Sequence, residues 1–124
     1  MAHEILRPLF ERRDERGVFR EILTGFPAGN VVCGGMSAGA VMGNHYHRRT
    51  RVFFYVLSGG VGISTVNVES GAKDEFLLAE NEGVFLEPGE SHAIRFLVDS
   101  RFLMMKSEPY DPADPDTIPY PVGE

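Results

Sequence analysis

Short apolar runs alternate with glycine-bearing turns along most of the chain. The runs are rich in valine, phenylalanine, isoleucine and leucine, and they cover residues 17–23, 30–37, 40–47, 51–58, 61–68, 74–79, 83–87, 91–97 and 101–106. Runs of this length that recur about every ten residues, with turn signals between them, predict the strands of an all-β sandwich or barrel. No stretch in the middle of the chain sustains a helical period, and the 14 glycines suit tight turns because glycine tolerates positive φ.

The C-terminal segment differs from the rest in composition. Residues 108–124 carry five of the eight prolines. Proline has no N–H to donate to a sheet, so this segment cannot form a central strand. We expect a single domain over residues 1–124, with a core of about residues 14–107. Residues 108–124 should form an extended, proline-rich arm that lies along the body or along a partner subunit.

Composition and charge exclude several classes of protein. The 124 residues, 43% hydrophobic and 24% charged, fit one globular domain. A net charge of −6 and an isoelectric point near 5.2 argue against binding to nucleic acid or to an anionic membrane. Cys33 is the only cysteine, which predicts a buried thiol, no internal disulfide and a reducing compartment. With no secretory signal and no apolar segment of about 20 residues, we expect a cytoplasmic protein without a membrane partner.

Three histidines occupy similar settings at the ends of predicted strands. His45 and His47 lie in the segment GNHYH, and strand alternation places both on one face, with Tyr46 on the other. His92 follows a Pro-Gly turn at the start of an apolar strand. If the two segments are antiparallel neighbours, three imidazoles converge, which suits a divalent ion such as zinc, iron, nickel or copper. The competing interpretation is that these histidines are polar residues at strand ends with no shared site.

Two stretches resemble the motifs of the cupin family. The first motif, G-x5-H-x-H-x4-E-x6-G, is matched at its glycines and histidines, and the second, which ends in P-x-G-x2-H, is matched near its end. The matching residues are Gly39, His45, His47, Gly59, Pro88, Gly89 and His92. The resemblance implies a small β-barrel of the jelly-roll type with a metal or substrate pocket inside it. It also implies that His45, His47 and His92 bind the metal.

The chain departs from these motifs at four positions. Val52 stands where cupins usually carry a glutamate ligand, and Glu87 stands where the second motif has its first proline. Asn81 and Glu82 replace the usual Gly-Asp. Because Val52 removes a carboxylate from the expected ligand set, a degenerate pocket without metal is the alternative interpretation.

Further motifs resemble those of cupins that act on nucleotide sugars. DERGVFREIL at residues 14–23 is similar to the opening of the epimerases and ketoisomerases of deoxysugar pathways. GNHYH and the tail YDPADPDTIPY resemble the C-terminal cupin domain of bacterial capsular-polysaccharide enzymes. The resemblance implies a nucleotide-sugar epimerase or isomerase that is a homodimer. It also implies a bound divalent metal, with zinc foremost and nickel or iron as alternatives.

Two other functions stay open at this stage. In a three-histidine iron dioxygenase, valine at position 52 would be expected, because such a site has no carboxylate ligand. A non-catalytic cupin that recognises a sugar or another small ligand is also compatible with the missing glutamate. Metal analysis would separate these functions, since iron favours the dioxygenase and zinc or nickel favours the sugar-type site.

Cationic side chains are candidates for contacts with a diphosphate, because guanidinium groups match phosphate oxygens. The arginines concerned are Arg16, Arg20, Arg48, Arg49 and Arg51. Lys106 and Arg95 lie on late strands and are candidates for the mouth of the pocket.

Alternation from Val52 directs Tyr55 outward, which favours a core or interface tyrosine over a catalytic one.

Overall fold

The computed structural model of this chain describes residues 3–122. Within that range the regular secondary structure consists of β-strands alone. None of the described segments is a helix able to cross a membrane. The strands are β1 (Phe10–Asp14), β2 (Gly17–Glu21), β3 (Asn30–Met36), β4 (Val41–Tyr46), β5 (Val52–Ser58), β6 (Gly60–Asn67), β7 (Lys73–Ala79), β8 (Gly83–Leu86), β9 (Glu90–Phe96), β10 (Ser100–Lys106) and β11 (Ile118–Pro119).

Two antiparallel sheets form a jelly roll. One sheet has the strand order β3-β10-β5-β8, and the other has the order β11-β4-β9-β6-β7. Strands β4 and β9, which lie far apart in sequence, are direct antiparallel neighbours. The predicted all-β fold of the cupin type is therefore confirmed.

The apolar core lies between the two sheets. Strand β5 contributes Val52, Phe54 and Val56, each at most 1% exposed. The ring of Phe102 on β10 stacks on Phe54 with centroids 5.5 Å apart, and Phe96 of the other sheet reaches Phe102 at 5.8 Å. Burying a large apolar side chain contributes about 1.5–3 kcal/mol. This aromatic contact therefore helps to hold the two sheets together.

Tyr55 lies on the opposite face of β5 from Phe54 and is a core residue despite that position. Only 1% of its surface is exposed, and its hydroxyl donates a hydrogen bond of 3.1 Å to Asn81 Oδ1. The N-terminal segment lies beside this region, since Leu6 bridges to Gly83, the residue paired with Tyr55. The outward direction predicted for Tyr55 thus leads to a covered surface.

Two strands were not predicted from the sequence. Strand β1 pairs with β2, and all of its residues are exposed. Its sequence FERRD has no apolar stripe, so the hydrophobic pattern gave no reason to predict a strand there. Strand β11 has two residues and pairs with β4 at the edge of the larger sheet. The proline-rich tail therefore supplies an edge strand, the position in a sheet that tolerates proline.

The burial predicted for Cys33 is wrong. Its thiol is free and exposed, because Cys33 lies on β3, an edge strand of the smaller sheet. Val31, two residues earlier on the same face, is also 60% exposed. An edge strand with one uncovered face does not bury the alternate residues that face outward.

Candidate functional site

A β-bulge in β4 determines where its histidine points. Gly43 pairs with Ala93, but the next pair is His45 with His92, so Asn44 is an extra residue in the strand. Gly43 and Asn44 both have positive φ, at 99° and 61°. A Cβ at Gly43 would lie 2.5 Å from the carbonyl oxygen of His92, so only glycine fits there. If the same sequence continued in regular alternation without a bulge, Asn44 would pair with His92 and His45 would point to the opposite face of the sheet.

The bulge brings three imidazoles together inside one end of the barrel. His45 lies on β4, His47 directly follows this strand, and His92 lies opposite on β9. Their ring centroids are 4.9–5.6 Å apart. One ring nitrogen from each residue lies within 4.8 Å of those of the other two. The antiparallel neighbourhood expected for these two segments is therefore present.

Backbone carbonyls determine which ring nitrogens are free. His47 Nδ1 lies 2.7 Å from the carbonyl oxygen of Asp116, and His92 Nδ1 lies 3.2 Å from that of Glu90. A carbonyl oxygen can only accept a hydrogen bond, so Nδ1 carries the proton in both rings. In the neutral form, Nε2 of each ring then keeps its lone pair. This is the nitrogen that can bind a metal or accept a proton.

Burial lowers the pKa of all three imidazoles. For His92, burial together with the charges of His45 and His47 lowers the pKa to about 3. Burial also lowers the pKa of His45 and of His47, where the hydrogen bond to Asp116 acts in the opposite direction. At pH 7 the cluster is therefore neutral, which is the state in which imidazole binds metal ions.

The histidines line a cavity of about 210 Å³ whose other walls are mostly apolar. Val52 lies in this wall, as counting through the cupin motif predicted, and no carboxylate is among the lining residues. Lys106 also lines the cavity, and it is paired in register with Val52. The remaining lining residues are Met42, Gly43, Ile94 and Met104. The cavity thus combines neutral nitrogen donors with one ammonium group.

The arginines considered for diphosphate binding are mostly engaged with acidic side chains. The ion pairs are Arg16 with Asp14, Arg20 with Glu11, Arg49 with Asp114, and Arg51 with Glu87. None of the five arginines lines the histidine cavity. Lys106 does line it, although its spacing in the sequence gave no reason to prefer it.

The jelly roll and the histidines inside one end of it define this chain as a cupin. The family model "Polysaccharide biosynthesis C-terminal domain" matches residues 12–118. The chain belongs to this family. The comparison with curated protein sequences returned no match.

Solved structures share this fold. CapF, the capsular polysaccharide assembling protein of Staphylococcus aureus, is 30% identical, with a TM-score of 0.72 over 93% of this chain and 35% of CapF. The chain therefore spans about a third of that protein. The rmlC epimerase of Mycobacterium tuberculosis is 24% identical, with a TM-score of 0.75 over 88% of this chain and 64% of the epimerase.

A third similar structure contains a nucleotide sugar. ChmJ, a 3′-monoepimerase from Streptomyces bikiniensis solved in complex with dTDP-quinovose, is 22% identical to this chain. Its TM-score is 0.77 over 90% of this chain and 66% of ChmJ. At such identity, the likeness to ChmJ and to the rmlC epimerase establishes the shared fold.

The low pKa of His92 predicts that the metal-free protein loses stability in mild acid. A histidine in an unfolded chain takes up a proton near pH ~6.5, whereas folded His92 does so only near pH 3. Between these values the unfolded state binds more protons. The free energy of unfolding should therefore fall as the pH falls, by up to about 1.4 kcal/mol per pH unit. Denaturant unfolding of chelator-treated protein at a series of pH values measures this slope.

The control is His92→Asn, which does not titrate in this range. Its free energy of unfolding should depend less steeply on pH than that of the wild type, because it lacks the imidazole that takes up a proton on unfolding. The carboxylates contribute equally to both proteins. Equal slopes in the two proteins would contradict a buried, neutral imidazole at position 92.

Proposed function

We propose that this cupin binds a divalent metal through His45, His47 and His92 and acts on a nucleotide sugar as an epimerase or isomerase. The observation that carries the proposal is the convergence of three neutral imidazoles on one enclosed cavity. Membership of a polysaccharide biosynthesis family supports the substrate class. The shared fold of CapF, the rmlC epimerase and ChmJ supports it further.

The donor set fits a metal of intermediate softness. Imidazole nitrogen suits zinc first, and it also suits nickel and iron. Hydrogen bonds from Nδ1 to backbone carbonyls orient the His47 and His92 rings, as is usual for metal-binding histidines. Such an ion, when bound, would polarise a carbonyl oxygen of the substrate.

Epimerisation next to a keto group needs a base for the α-proton and positive charge near the oxygen. Lys106 places an ammonium group in the cavity wall, where it would stabilise negative charge that develops on the substrate oxygen. Without metal, a neutral imidazole could accept the α-proton, and His45 is the least buried of the three. The apolar wall limits competition from water.

A second candidate function has one observation in its favour. Val52 is 1% exposed and lies in the cavity wall beside the histidines, so three imidazoles without a carboxylate make up the donor set. This is the arrangement expected of a three-histidine iron dioxygenase. Metal analysis of protein purified without chelators or an affinity tag distinguishes the two. Zinc or nickel supports the sugar-type site, iron supports the dioxygenase, and metal-free protein that binds nucleotide sugars supports a non-catalytic cupin.

Val52→Glu should tighten zinc binding. The new carboxylate would lie beside the histidines and add an anionic ligand, and Lys106, paired in register with position 52, would reduce the cost of burying it. We expect a gain of about tenfold or more in zinc affinity, or about 1.4 kcal/mol. Titration of zinc into metal-stripped, folded protein measures it.

Val52→Gln is the matched control, because its side chain is similar in size but carries no charge. It should bind zinc about as the wild type does. Equal zinc affinity of folded Val52→Glu and the wild type would mean either that position 52 does not face the histidines or that the three histidines do not form a metal site.

Deuterium exchange tests the proposed chemistry directly. Nucleotide-activated keto sugars incubated with the protein in deuterium oxide should lose the NMR signal of a proton next to the keto group. Lys106→Met should slow this exchange by about tenfold or more, because it removes the positive charge near the oxygen. Lys73→Met, at an exposed position on β7, is the matched control and should exchange at the wild-type rate. Absence of exchange with every sugar of a UDP- and dTDP-linked panel would contradict the proposed reaction.

A homodimer is part of the same proposal. The β1–β2 hairpin forms a separate two-stranded sheet and exposes Phe10 and Phe19, at 49% and 53%. An isolated hairpin is marginally stable in water, and edge strands are commonly covered by partner chains. The hairpin is therefore the proposed contact with the second copy.

Sedimentation at micromolar concentration tests the dimer. The wild type should sediment as a dimer, and Phe19→Ser should shift it towards the monomer by removing apolar contact area. Leu77→Ser, a change at a 66% exposed position outside the hairpin, should leave the dimer intact. A monomeric wild type would contradict the proposal.

A further inference from the structure

We propose that Asp116, in the C-terminal tail, is a positioning residue that fixes the orientation and tautomer of His47 and so sets the metal affinity of the cluster. The inference rests on the proposed metal site. Asp116 lies 69 positions after His47 in the sequence.

The carboxylate of Asp116 closes the loop that directly follows His47. Asp116 Oδ1 accepts the backbone N–H of Arg48 at 2.8 Å. Asp116 Oδ2 accepts the backbone N–H groups of Arg49 and Thr50 at 3.0 and 2.9 Å, and the Thr50 hydroxyl at 2.8 Å. Asp116 is only 8% exposed. One carboxylate therefore satisfies four donors and holds the backbone next to His47 in one conformation.

The same residue bonds to His47 itself. The carbonyl oxygen of Asp116 lies 2.7 Å from His47 Nδ1 and accepts its proton. Its carboxylate fixes the loop after His47 while its carbonyl fixes the ring, so displacement of Asp116 would disturb both. The lone pair of Nε2 stays available in the cavity only while Nδ1 keeps this partner.

The backbone of Asp116 adopts a conformation that depends on the surrounding bonds. Its φ is 54°, in the left-handed region that aspartate enters more readily than most residues but still at a cost. Two residues later, β11 begins its pairing with β4, where Ile118 is paired with Tyr46 and Pro119 with His45. The tail is therefore held beside the histidine strand directly after the strained residue.

The tail also contacts the residues adjacent to His45 and His92. The N–H of Tyr120 donates to the carbonyl of Asn44 at 2.8 Å, and Ser91 Oγ donates to the carbonyl of Tyr120 at 2.5 Å. The N–H of Val122 donates to Asn44 Oδ1 at 2.9 Å. The tail thus supports the neighbourhood of all three histidines, but its bond to a histidine ring comes from Asp116.

Charge gives Asp116 a second role. Hydrogen bonds from Arg48, Arg49 and Thr50 stabilise its carboxylate in the ionised form. Its carboxylate places a negative charge in the loop that directly follows His47, which favours positive charge near that ring. A dication bound to His47 would experience the same favourable charge. Asp116 thereby supplies part of the negative charge that Val52 does not.

The test compares two substitutions at position 116 in the full chain. Asp116→Gly removes the carboxylate but keeps the carbonyl, and glycine suits the positive φ. Asp116→Asn keeps the shape but loses the charge and at least one acceptor. Zinc affinity, measured by titration into stripped protein, should fall about 10- to 100-fold for Asp116→Gly and by less for Asp116→Asn. Asp114→Asn, at an exposed position in the same tail, is the control and should match the wild type.

A second measurement does not depend on metal. Long-range ¹⁵N–¹H NMR of the metal-free protein reports the tautomer of His47. The wild type should show a proton on Nδ1 alone, whereas Asp116→Gly should show a mixture of the two tautomers. A purely structural role for Asp116 would lower the free energy of unfolding but leave the affinity and the tautomer of the folded protein unchanged.

The outcomes separate this inference from the proposed function. Wild-type zinc affinity and a wild-type His47 tautomer in folded Asp116→Gly would overturn the inference. If that variant does not fold, the same result in Asp116→Asn would overturn it. Zinc binding that is unaffected by His92→Asn would instead contradict the metal site, and the tautomer measurement would still decide the role of Asp116.

Discussion

The arrangement of the site depends on one extra residue in strand β4. The bulge at Gly43 and Asn44 moves His45 to the inner face, opposite His92, and His47 follows it two residues later. The bulge needs glycine where the carbonyl of His92 approaches, and it needs a residue that tolerates positive φ next to it. Asparagine at position 44 meets the second requirement and also binds the tail through its side-chain and backbone oxygens.

The cavity that forms the proposed metal site has an unusual charge distribution. Its donors are three neutral imidazoles, its one charged lining residue is Lys106, and Val52 occupies the wall where a carboxylate would stand in most cupins. An ammonium group near a dication weakens binding but favours an anionic oxygen between them. This balance suits a site in which the ligand itself, such as an enolate or another oxyanion, supplies negative charge.

Much of the fold and the three histidines could be predicted from the sequence. All nine predicted apolar segments contain a strand. Eight of these strands belong to the two large sheets, whereas β2 lies in the separate hairpin with mostly exposed residues. The hairpin strand β1 was missed since FERRD has no buried face, and the tail strand β11 was missed since two residues carry no pattern. Lys106 was a candidate for the pocket only because it lies on a late strand, and Asp116 lies in the tail motif without any sign of its contact with His47. From the sequence alone, a lysine or an aspartate is taken for a solvated surface residue, because only the fold shows which groups surround it.

The sequence by itself determined the all-β class, the resemblance to cupins and the identity of the histidines that converge. Those conclusions rest on local periodicity and on the spacing of residues within two short motifs, which are properties of neighbouring positions along the chain. Only the tertiary structure decided that a bulge turns His45 inward, that Cys33 is exposed on an edge strand, and that Asp116 contacts His47. Each of these depends on which segments meet in space, and hydrogen bonds between residues nearly seventy positions apart leave no periodic trace in either segment.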